Sequence, residues 1–313
     1  METWNVKKIL DWGIEYFNGK DVPQARLSAE LLLSSVLGLS RMDLYLNYNR
    51  VLTASELQVY KKHILKRLEH VPIQYILSEA YFRNIRLYVD KNVLIPRPET
   101  ELLVERSLEI AESILKEKGS ITIAEIGTGS GAIALSLYTE FKKKIGSISG
   151  SRFDCTIIAL DSSMGALEVA RKNAQDILED EDLVNIEFLQ CDILPVKDSA
   201  TFEKYREKVD LVISNPPYIK EDDYPGLPRE VREYEPREAL IAGKTGLEVY
   251  ERILSAIFPY LTAKGPAYII VETDPVASGG LLELIGRSTG FRDASLEKDY
   301  NKKDRILIAK RSL

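Results

Sequence analysis

The turn Asn215-Pro216-Pro217-Tyr218 combines residue types that can do chemistry with a backbone that must stop abruptly. It directly follows the apolar run 209–214, which is typical of a buried strand. Proline fixes φ and cannot donate to a strand ladder, so the run ends in a stiff turn. Ligands of open α/β sheets bind at the carboxyl ends of the strands. The turn therefore presents an amide, a carbonyl and an aromatic ring where a substrate would bind.

These groups suit the transfer of a group onto the nitrogen of a planar amide or amine. An amide nitrogen is a poor nucleophile because its lone pair is delocalised, the resonance that gives the peptide bond a rotation barrier of about 18–20 kcal/mol. Asn215 Oδ1 and the Pro216 carbonyl can accept both N–H groups of a substrate amide, while Tyr218 packs on the amide plane. Alignment with a methyl donor then contributes catalysis through proximity. The predicted catalytic and substrate-binding residues are Asn215, Pro216, Pro217 and Tyr218, and a tight turn without chemistry is the alternative.

A second interrupted strand end lies upstream, at residues 125–131 (EIGTGSG). Glycines permit positive φ and let the backbone approach a ligand closely, but a GxG pattern alone fits NAD, flavin or S-adenosylmethionine. Gly131 comes two residues after Gly129, whereas the dinucleotide fingerprint is G-x-G-x-x-G. Glu125, just before Gly127, would repel phosphates and suits a cationic ligand that carries an amino acid. The loop therefore favours S-adenosylmethionine over NAD.

Two acids after the next predicted strands support a cofactor site. Asp161 ends the second strand, where a carboxylate can accept hydrogen bonds from both ribose hydroxyls. Asp192 follows the third strand on the same sheet edge, where its carboxylate could recognise an adenine amino group. For each acid the alternative is an N-cap, and Asp161 stands well placed for one, before Ser162.

Composition argues against several classes of protein. A chain of 313 residues suits two compact domains, and it contains no apolar run of about 18 residues that could span a membrane. A net charge of -6, concentrated after residue 80, argues against sequence-independent nucleic-acid binding. Cys155 and Cys191 lack the spacing of a disulfide framework or a metal site, so we expect a reducing, cytoplasmic compartment and no metal. His63 and His70 both precede the predicted catalytic part, which argues against a histidine base.

Hydrophobic periodicity predicts two domains joined by a hairpin. Residues 1–80 have helical periodicity, with a capping box at 53–56 and a terminating Gly38. In 81–97 the period changes to two, and a β-hairpin is predicted with its turn at 90–92. Residues 98–313 alternate strand and helix, which predicts an α/β domain with a doubly wound, mostly parallel sheet and an antiparallel last strand. The predicted strands are 121–126, 155–160, 185–189, 210–214, 267–271, 294–296 and 305–309.

The motifs together resemble those of a known family. The Asn-Pro-Pro-Tyr turn is similar to the signature of methyltransferases that act on nitrogens conjugated to planar systems. With residues 72–76 (PIQYI), 93–101 (VLIPRPETE) and 234–236 (YEP), the chain from about residue 20 onward resembles the HemK/PrmC family. These are protein-glutamine methyltransferases of class I peptide-chain release factors.

The resemblance implies a class I S-adenosylmethionine-dependent methyltransferase fold (Rossmann-like, with a seven-stranded mostly parallel sheet) behind an N-terminal helical domain that docks the release factor. It implies methylation of the glutamine in a Gly-Gly-Gln loop, which tunes translation termination. We expect a monomer in the bacterial cytoplasm that binds neither nucleic acid nor membrane. By the same resemblance, the cofactor contacts are Glu125, Gly127, Thr128, Gly129, Ser130, Gly131, Asp161, Asp192, Ile193 and Asn215. Arg97 and Glu99 look like part of the substrate site wall, and a purely structural role for their loop is the alternative.

The chain departs from the family pattern at His70, Thr245, Asp274 and Lys302. None of these positions belongs to the proposed chemistry, so the departures concern local loop geometry and substrate docking.

Two other functions are open at this point. An adenine-N6 DNA methyltransferase shares the turn and flips its base into the pocket, but it would carry a basic groove, whereas the predicted catalytic part is acidic. A translation-associated binding protein with a vestigial pocket is the other alternative. The presence of Asn215, Gly127 and Asp161 argues against such decay.

Overall fold

The computed structural model describes residues 3–146, 153–194, 200–288 and 290–311. The chain forms two compact units. One contains Met1–Glu79 and Pro228–Tyr234, and the other contains Ala80–Leu227 and Glu235–Leu313. Each unit has its own core of buried apolar side chains. Among the described residues, none of the helices has both the length and the apolar character needed to cross a bilayer.

The bounds of the helices and strands are as follows. The helices are α1 (Val6–Asn18), α2 (Ala25–Leu37), α3 (Arg41–Leu46), α4 (Ala54–Leu68), α5 (Ile73–Leu77), α6 (Glu101–Lys118), α7 (Ala132–Gly146), α8 (Met164–Ile177), α9 (Asp180–Leu183), α10 (Ala200–Glu203), α11 (Arg229–Tyr234), α12 (Glu248–Ile257) and α13 (Ser278–Arg287). The strands are β1 (Ala80–Phe82), β2 (Ile85–Leu87), β3 (Ile121–Ile126), β4 (Cys155–Asp161), β5 (Ile186–Gln190), β6 (Leu211–Ser214), β7 (Ile219–Lys220), β8 (Ile241–Gly243), β9 (Tyr268–Glu272), β10 (Phe291–Lys298) and β11 (Asp304–Arg311). Short 3₁₀ turns lie at Pro98–Thr100, Tyr224–Gly226 and Arg237–Ala239.

The helix ends of the smaller unit follow the residue types at those positions. The Thr53 hydroxyl accepts from the Glu56 N–H at 3.2 Å, and the Glu56 carboxylate accepts from the Thr53 N–H at 2.7 Å. This reciprocal capping box begins α4. Gly38 ends α2 with a φ of 63°, in the left-handed region that glycine adopts without strain. Both sequence predictions are confirmed.

A buried arginine holds the returning segment 228–234 in the smaller unit. The guanidinium of Arg67 donates to the Glu230 carboxylate at 2.7 Å, and the arginine side chain is 3% exposed. The Tyr234 hydroxyl donates to the carbonyl of Glu69 at 2.6 Å. These contacts explain why the segment groups with the first 79 residues, although its neighbours along the chain belong to the larger unit.

The larger unit is built on a seven-stranded sheet in the order β10-β11-β9-β6-β3-β4-β5. Strands β3, β4, β5, β6 and β9 are parallel, and β11 is antiparallel to both of its neighbours. Every residue of β6 is buried, as expected for a central parallel strand. The prediction of a mostly parallel, Rossmann-like sheet that ends in an antiparallel hairpin is confirmed.

The hairpin before the sheet differs from the sequence prediction. Strand β1 pairs with β2, so that the turn is Arg83-Asn84, and residues 93–95 form no strand. After β2 the backbone pairs with a side chain: the Tyr88 N–H donates to Asn173 Oδ1 at 2.7 Å, and Asn173 Nδ2 donates to the Tyr88 carbonyl at 3.0 Å. The predicted turn at 90–92 is present, since the Val93 N–H donates to the Asp90 carbonyl at 3.2 Å. The predicted pairing of strands across this turn was wrong, because the alternation of apolar residues here reflects buried side chains in an irregular segment.

Candidate active site

The carboxyl ends of the parallel strands surround a cavity of about 370 Å³ in the larger unit. Most of the residues predicted from the sequence line it. These are Arg97, Gly127, Thr128, Gly129, Ser130, Asp161, Asp192, Ile193, Asn215, Pro216 and Pro217. The predicted residues Glu99, Glu125, Gly131 and Tyr218 are not part of the lining.

Strand register brings the separate motifs together. Ile126 at the end of β3 pairs with Leu160 of β4 on one side and with Ser214 of β6 on the other. The Ser214 hydroxyl also donates to the Ile126 carbonyl at 2.7 Å. The glycine loop, Asp161 and Asn215 each follow directly on one of these three positions. Parallel pairing therefore places all three at one edge of the sheet.

The glycines of the loop have two different roles. Gly127 and Gly129 have φ values of 76° and 55°, and a Cβ added to either would meet no atom of the described residues within 4 Å. The backbone there faces open space that a ligand can approach. At Gly131 an added Cβ would lie 3.1 Å from Leu135 Cδ1 and 3.4 Å from the Ala170 Cβ. This third glycine therefore allows α7 and α8 to pack closely, and it lies outside the cavity.

Asp161 fastens the glycine loop. Its Oδ2 accepts from the Gly129 N–H at 2.8 Å, and its Oδ1 accepts from the Ser163 N–H at 2.9 Å. Burial raises the pKa of the carboxyl, the charges of Glu238 and Asp192 act in the same direction, and the backbone hydrogen bonds oppose them. The N-cap of α8 is Ser163, so the alternative of Asp161 as the N-cap is wrong. Each carboxylate oxygen keeps a lone pair for a ribose hydroxyl.

Glu125 lies beneath the loop and is 1% exposed. Its Oε2 accepts from the Thr128 hydroxyl at 2.7 Å, while its Oε1 is buried without a hydrogen-bond partner among the described residues. Burial raises the pKa of this carboxyl to about 8, against the opposing hydrogen bond from Thr128. The neutral acid is therefore the main form at pH 7, and its hydrogen bond holds the loop from below.

Asn215 is oriented by a hydroxyl from another element. Its Nδ2 donates to Thr100 Oγ1 at 3.1 Å, and Thr100 is buried. With the amide nitrogen engaged, Oδ1 is the end of the side chain that is left to accept hydrogen bonds. Pro216 and Pro217 continue the cavity wall.

Tyr218 is not part of the cavity lining. Its ring is half-buried and packs against the apolar core of the larger unit. Its hydroxyl donates a long hydrogen bond of 3.5 Å to Glu272 Oε1, and burial, together with the charge of Glu272, raises the pKa of the phenol. A role for this ring on the plane of a substrate amide stays a prediction.

Glu272 was not singled out in the sequence. It is 1% exposed at the end of β9, and its Oε2 has no hydrogen-bond partner in the part of the chain that the structure describes. Burial raises the pKa of this carboxyl to about 7, while the Thr100 and Tyr218 hydroxyls and the charge of Arg305 oppose the shift. The available signal was an acid that ends the apolar run 268–271, in the strand next to β6.

Glu235 was quoted in the sequence only as part of the motif 234–236, without a role, and it proves to be the acid that holds the cavity wall. The Arg97 guanidinium donates to Glu235 Oε1 at 2.6 Å, and Glu235 Oε2 accepts from the Ile95 N–H at 3.1 Å. Glu99, two residues along, is exposed. At another side of the cavity, Arg252 forms a short ion pair with Asp192. Partners so distant in sequence carry no local signal.

Comparisons with known proteins identify the family of this chain. Residues 8–77 match the family model for the PrmC N-terminal domain, and residues 116–235 match a methyltransferase domain model. The release factor glutamine methyltransferase of Chlorobaculum tepidum is 41% identical over 98% of this chain and 97% of that protein. The protein of the same name from Rhodopirellula baltica is 32% identical over 97% of this chain and 95% of that protein.

Among solved structures, the release factor-specific protein-(glutamine-N5) methyltransferase of Alicyclobacillus acidocaldarius is 25% identical to this chain. The alignment covers 70% of this chain and 95% of that one with a TM-score of 0.35, an overlap too small to add to the fold described above. The evidence for the family comes from sequence identity above 30% over nearly the whole of both proteins. The chain belongs to the family of release factor glutamine methyltransferases.

Proposed function

We propose that this protein uses S-adenosylmethionine to methylate the side-chain amide nitrogen of the glutamine in the Gly-Gly-Gln motif of class I peptide-chain release factors. The observation that carries the proposal is the position of Asn215 and Pro216 on the wall of the same cavity as Gly127, Gly129 and Asp161. The cavity thus offers acceptors for an amide together with the backbone and carboxylate groups that a nucleoside requires.

The residues present fit the cofactor. The open space above Gly127 and Gly129 can take the amino-acid and sulfonium part, since no side chain fills it. Asp161 would accept hydrogen bonds from the ribose hydroxyls, and Asp192 and Ile193 would contact the adenine. When bound, the cofactor supplies a methyl group activated by a positively charged sulfur.

The chain's own part in the reaction is to hold and orient the amide. Asn215 Oδ1 and the Pro216 carbonyl would accept the two N–H groups of the glutamine side chain. This positioning favours a pyramidal nitrogen whose lone pair points along the line of attack. The nitrogen would form its bond to the methyl carbon as the carbon–sulfur bond breaks, which would leave a neutral thioether. The methylated nitrogen would then be cationic, so one of its protons would leave. A protonated amide is a strong acid, and solvent can accept this proton without a dedicated base.

The smaller unit is proposed to dock the release factor. Three large apolar side chains of its described residues, Met42, Leu46 and Val51, are 74%, 76% and 56% exposed. Exposed apolar groups of this kind are typical of protein interaction surfaces. We infer that the protein acts in the bacterial cytoplasm, where translation termination takes place.

The test is a methyl-transfer assay with labelled S-adenosylmethionine and three acceptors. They are a class I release factor, the same factor with Gln→Ala in its Gly-Gly-Gln loop, and duplex DNA. We expect label on the intact factor alone. Label on the Gln→Ala factor would contradict the assigned atom, and label on DNA would favour adenine methylation.

A further inference from the structure

Both arginines that line the cavity in the described part of the chain are paired with carboxylates. Arg97 Nη2 lies 2.6 Å from Glu235 Oε1, and Arg252 pairs with Asp192. The pairing is functionally significant because the proposed ligand is a cation. An unpaired guanidinium at the wall would repel it.

The two ion pairs differ in their exposure to water. The side chains of Arg252 and Asp192 are 54% and 62% exposed, so solvent screens that pair and its contribution is small. The side chain of Glu235 is 2% exposed, and that of Arg97 is 31% exposed. Because Glu235 also accepts from the Ile95 N–H, both of its oxygens are held in place. Of the two ion pairs, Arg97–Glu235 is thus the one in which the arginine charge is persistently neutralised.

With the arginines neutralised, the cavity wall keeps an excess of negative charge. Asp161 and Glu238 line the cavity in addition to the paired Asp192. The carboxylates act on one another, since the charges of Glu238 and Asp192 both help to raise the pKa of Asp161. A cavity with this balance favours a ligand of net positive charge.

Methyl transfer changes the charge of the ligand by one unit. The donor carries a sulfonium cation, whereas the demethylated product carries a neutral thioether. The rest of the two molecules is the same. Electrostatic interaction with the wall is therefore a means by which the cavity can distinguish donor from product.

We propose that Glu235, by neutralising Arg97, makes the cofactor cavity prefer the cationic sulfonium donor over its neutral thioether product. Glu235 is then a specificity-determining residue that acts on the cofactor through Arg97. The inference rests on the proposed function, because it takes S-adenosylmethionine as the donor.

The test measures binding of both ligands by calorimetry, with the full chain and without release factor. Glu235→Gln keeps the size of the side chain and an oxygen that can accept from the Ile95 N–H, so it removes little except the charge. We expect the Kd for S-adenosylmethionine to rise about three- to tenfold, as one uncompensated charge at partly solvated range requires. The Kd for S-adenosylhomocysteine should change less than about twofold, since that ligand lacks the sulfonium charge.

Two further variants separate charge from structure. The double variant Arg97→Met/Glu235→Gln removes both charges, so it should restore the wild-type ratio of the two Kd values. Glu233→Gln is the matched control, because it removes the same formal charge from an exposed acid that pairs with Arg229. It should leave the ratio unchanged.

The outcomes distinguish this inference from the proposed function. If the wild type binds neither ligand, the cofactor assignment and the inference both fall. If Glu235→Gln weakens both ligands equally, or leaves their ratio unchanged, the inference is overturned while the cofactor assignment stands. If Glu235→Gln does not fold, Arg97→Met alone provides the test. It removes the cation and leaves the acid, so a reduced preference for the sulfonium ligand would overturn the inference.

Discussion

Asn215 Nδ2 donates to Thr100 Oγ1 at 3.1 Å, which joins the Asn-Pro-Pro-Tyr turn after β6 to the N-cap residue of α6. The two residues lie 115 positions apart in the chain. The hydrogen bond decides which end of the Asn215 amide is presented as an acceptor. The proposed clamp therefore depends on a hydroxyl that does not touch the substrate amide itself.

Asn215→Ala should abolish transfer without abolishing cofactor binding. It removes one of the two acceptors for the substrate N–H groups, and we expect kcat to fall about a hundredfold or more, as for the loss of one oriented polar group at a reacting centre. The Kd for S-adenosylmethionine should stay within about fivefold, because most of the cofactor contacts lie on other loops. Calorimetry and single-turnover transfer check the two halves. Equal transfer by the variant and the wild type would refute the clamp.

Thr100→Val should reduce kcat by about tenfold, because the isosteric change removes the hydrogen bond that orients Asn215. Thr100→Ser keeps the hydroxyl and is the matched control, which should retain most of the activity. Steady-state transfer to the release factor, with the melting temperature of each variant, provides the measurement. If valine and serine behave alike, the hydroxyl does not orient the amide.

Gly127→Ala and Gly131→Ala should differ in their effects on melting temperature and on cofactor affinity. Both positions have positive φ, so each alanine costs about 1–2 kcal/mol in the free energy of unfolding. Only at Gly131 does the new Cβ also press on Leu135, which should lower the melting temperature further. Only at Gly127 does it project into the open cradle, which should weaken cofactor binding. Thermal melts and calorimetry on both proteins test this separation, and equal loss of cofactor affinity would contradict it.

The free energy of unfolding should fall as the pH rises from about 5 to about 9. In the folded protein the pKa of Glu125 is about 8 and that of Glu272 is about 7, both above the ordinary value of 4.5. Between the ordinary and the raised values, the folded state holds protons that the unfolded state has released. Stability is therefore complete below the ordinary pKa and is lost as the pH rises through the raised values.

The variants Glu125→Gln and Glu272→Gln check this origin of the pH dependence. Each removes one titrating group while preserving size, so each should flatten the dependence. Urea unfolding at a series of pH values gives the slopes. A slope that neither variant changes would mean that other groups produce it.

The sequence was most informative where chemistry and strand ends coincide. Apolar runs with clear boundaries locate strands such as β3 and β6, and the rule that ligands bind at carboxyl ends then brings Gly127, Asp161 and Asn215 to one edge. These predictions need only local patterns and a general rule of topology.

What the sequence did not reveal depends on contacts between distant residues. Residues 93–95 resemble a strand in sequence. Their irregular conformation is instead held by burial and by the hydrogen bond from the Ile95 N–H to Glu235, a residue 140 positions away. Tyr218 packs against the apolar core, and its hydroxyl donates to Glu272. No local pattern of either segment indicates such partners.

The anchoring of α11 by Arg67 means that the two units are not separable in sequence. The chain passes from one unit to the other at 79/80, at 227/228 and again at 234/235. A cut near residue 80 would therefore leave α11 behind without the arginine that its Glu230 pairs with. Residues 228–234 end directly before Glu235, the acid that pairs with Arg97 at the cavity wall. A gene fragment that encodes residues 80–313 would therefore carry α11 without the arginine that anchors it, so a recombination event at residue 80 would not exchange one intact unit.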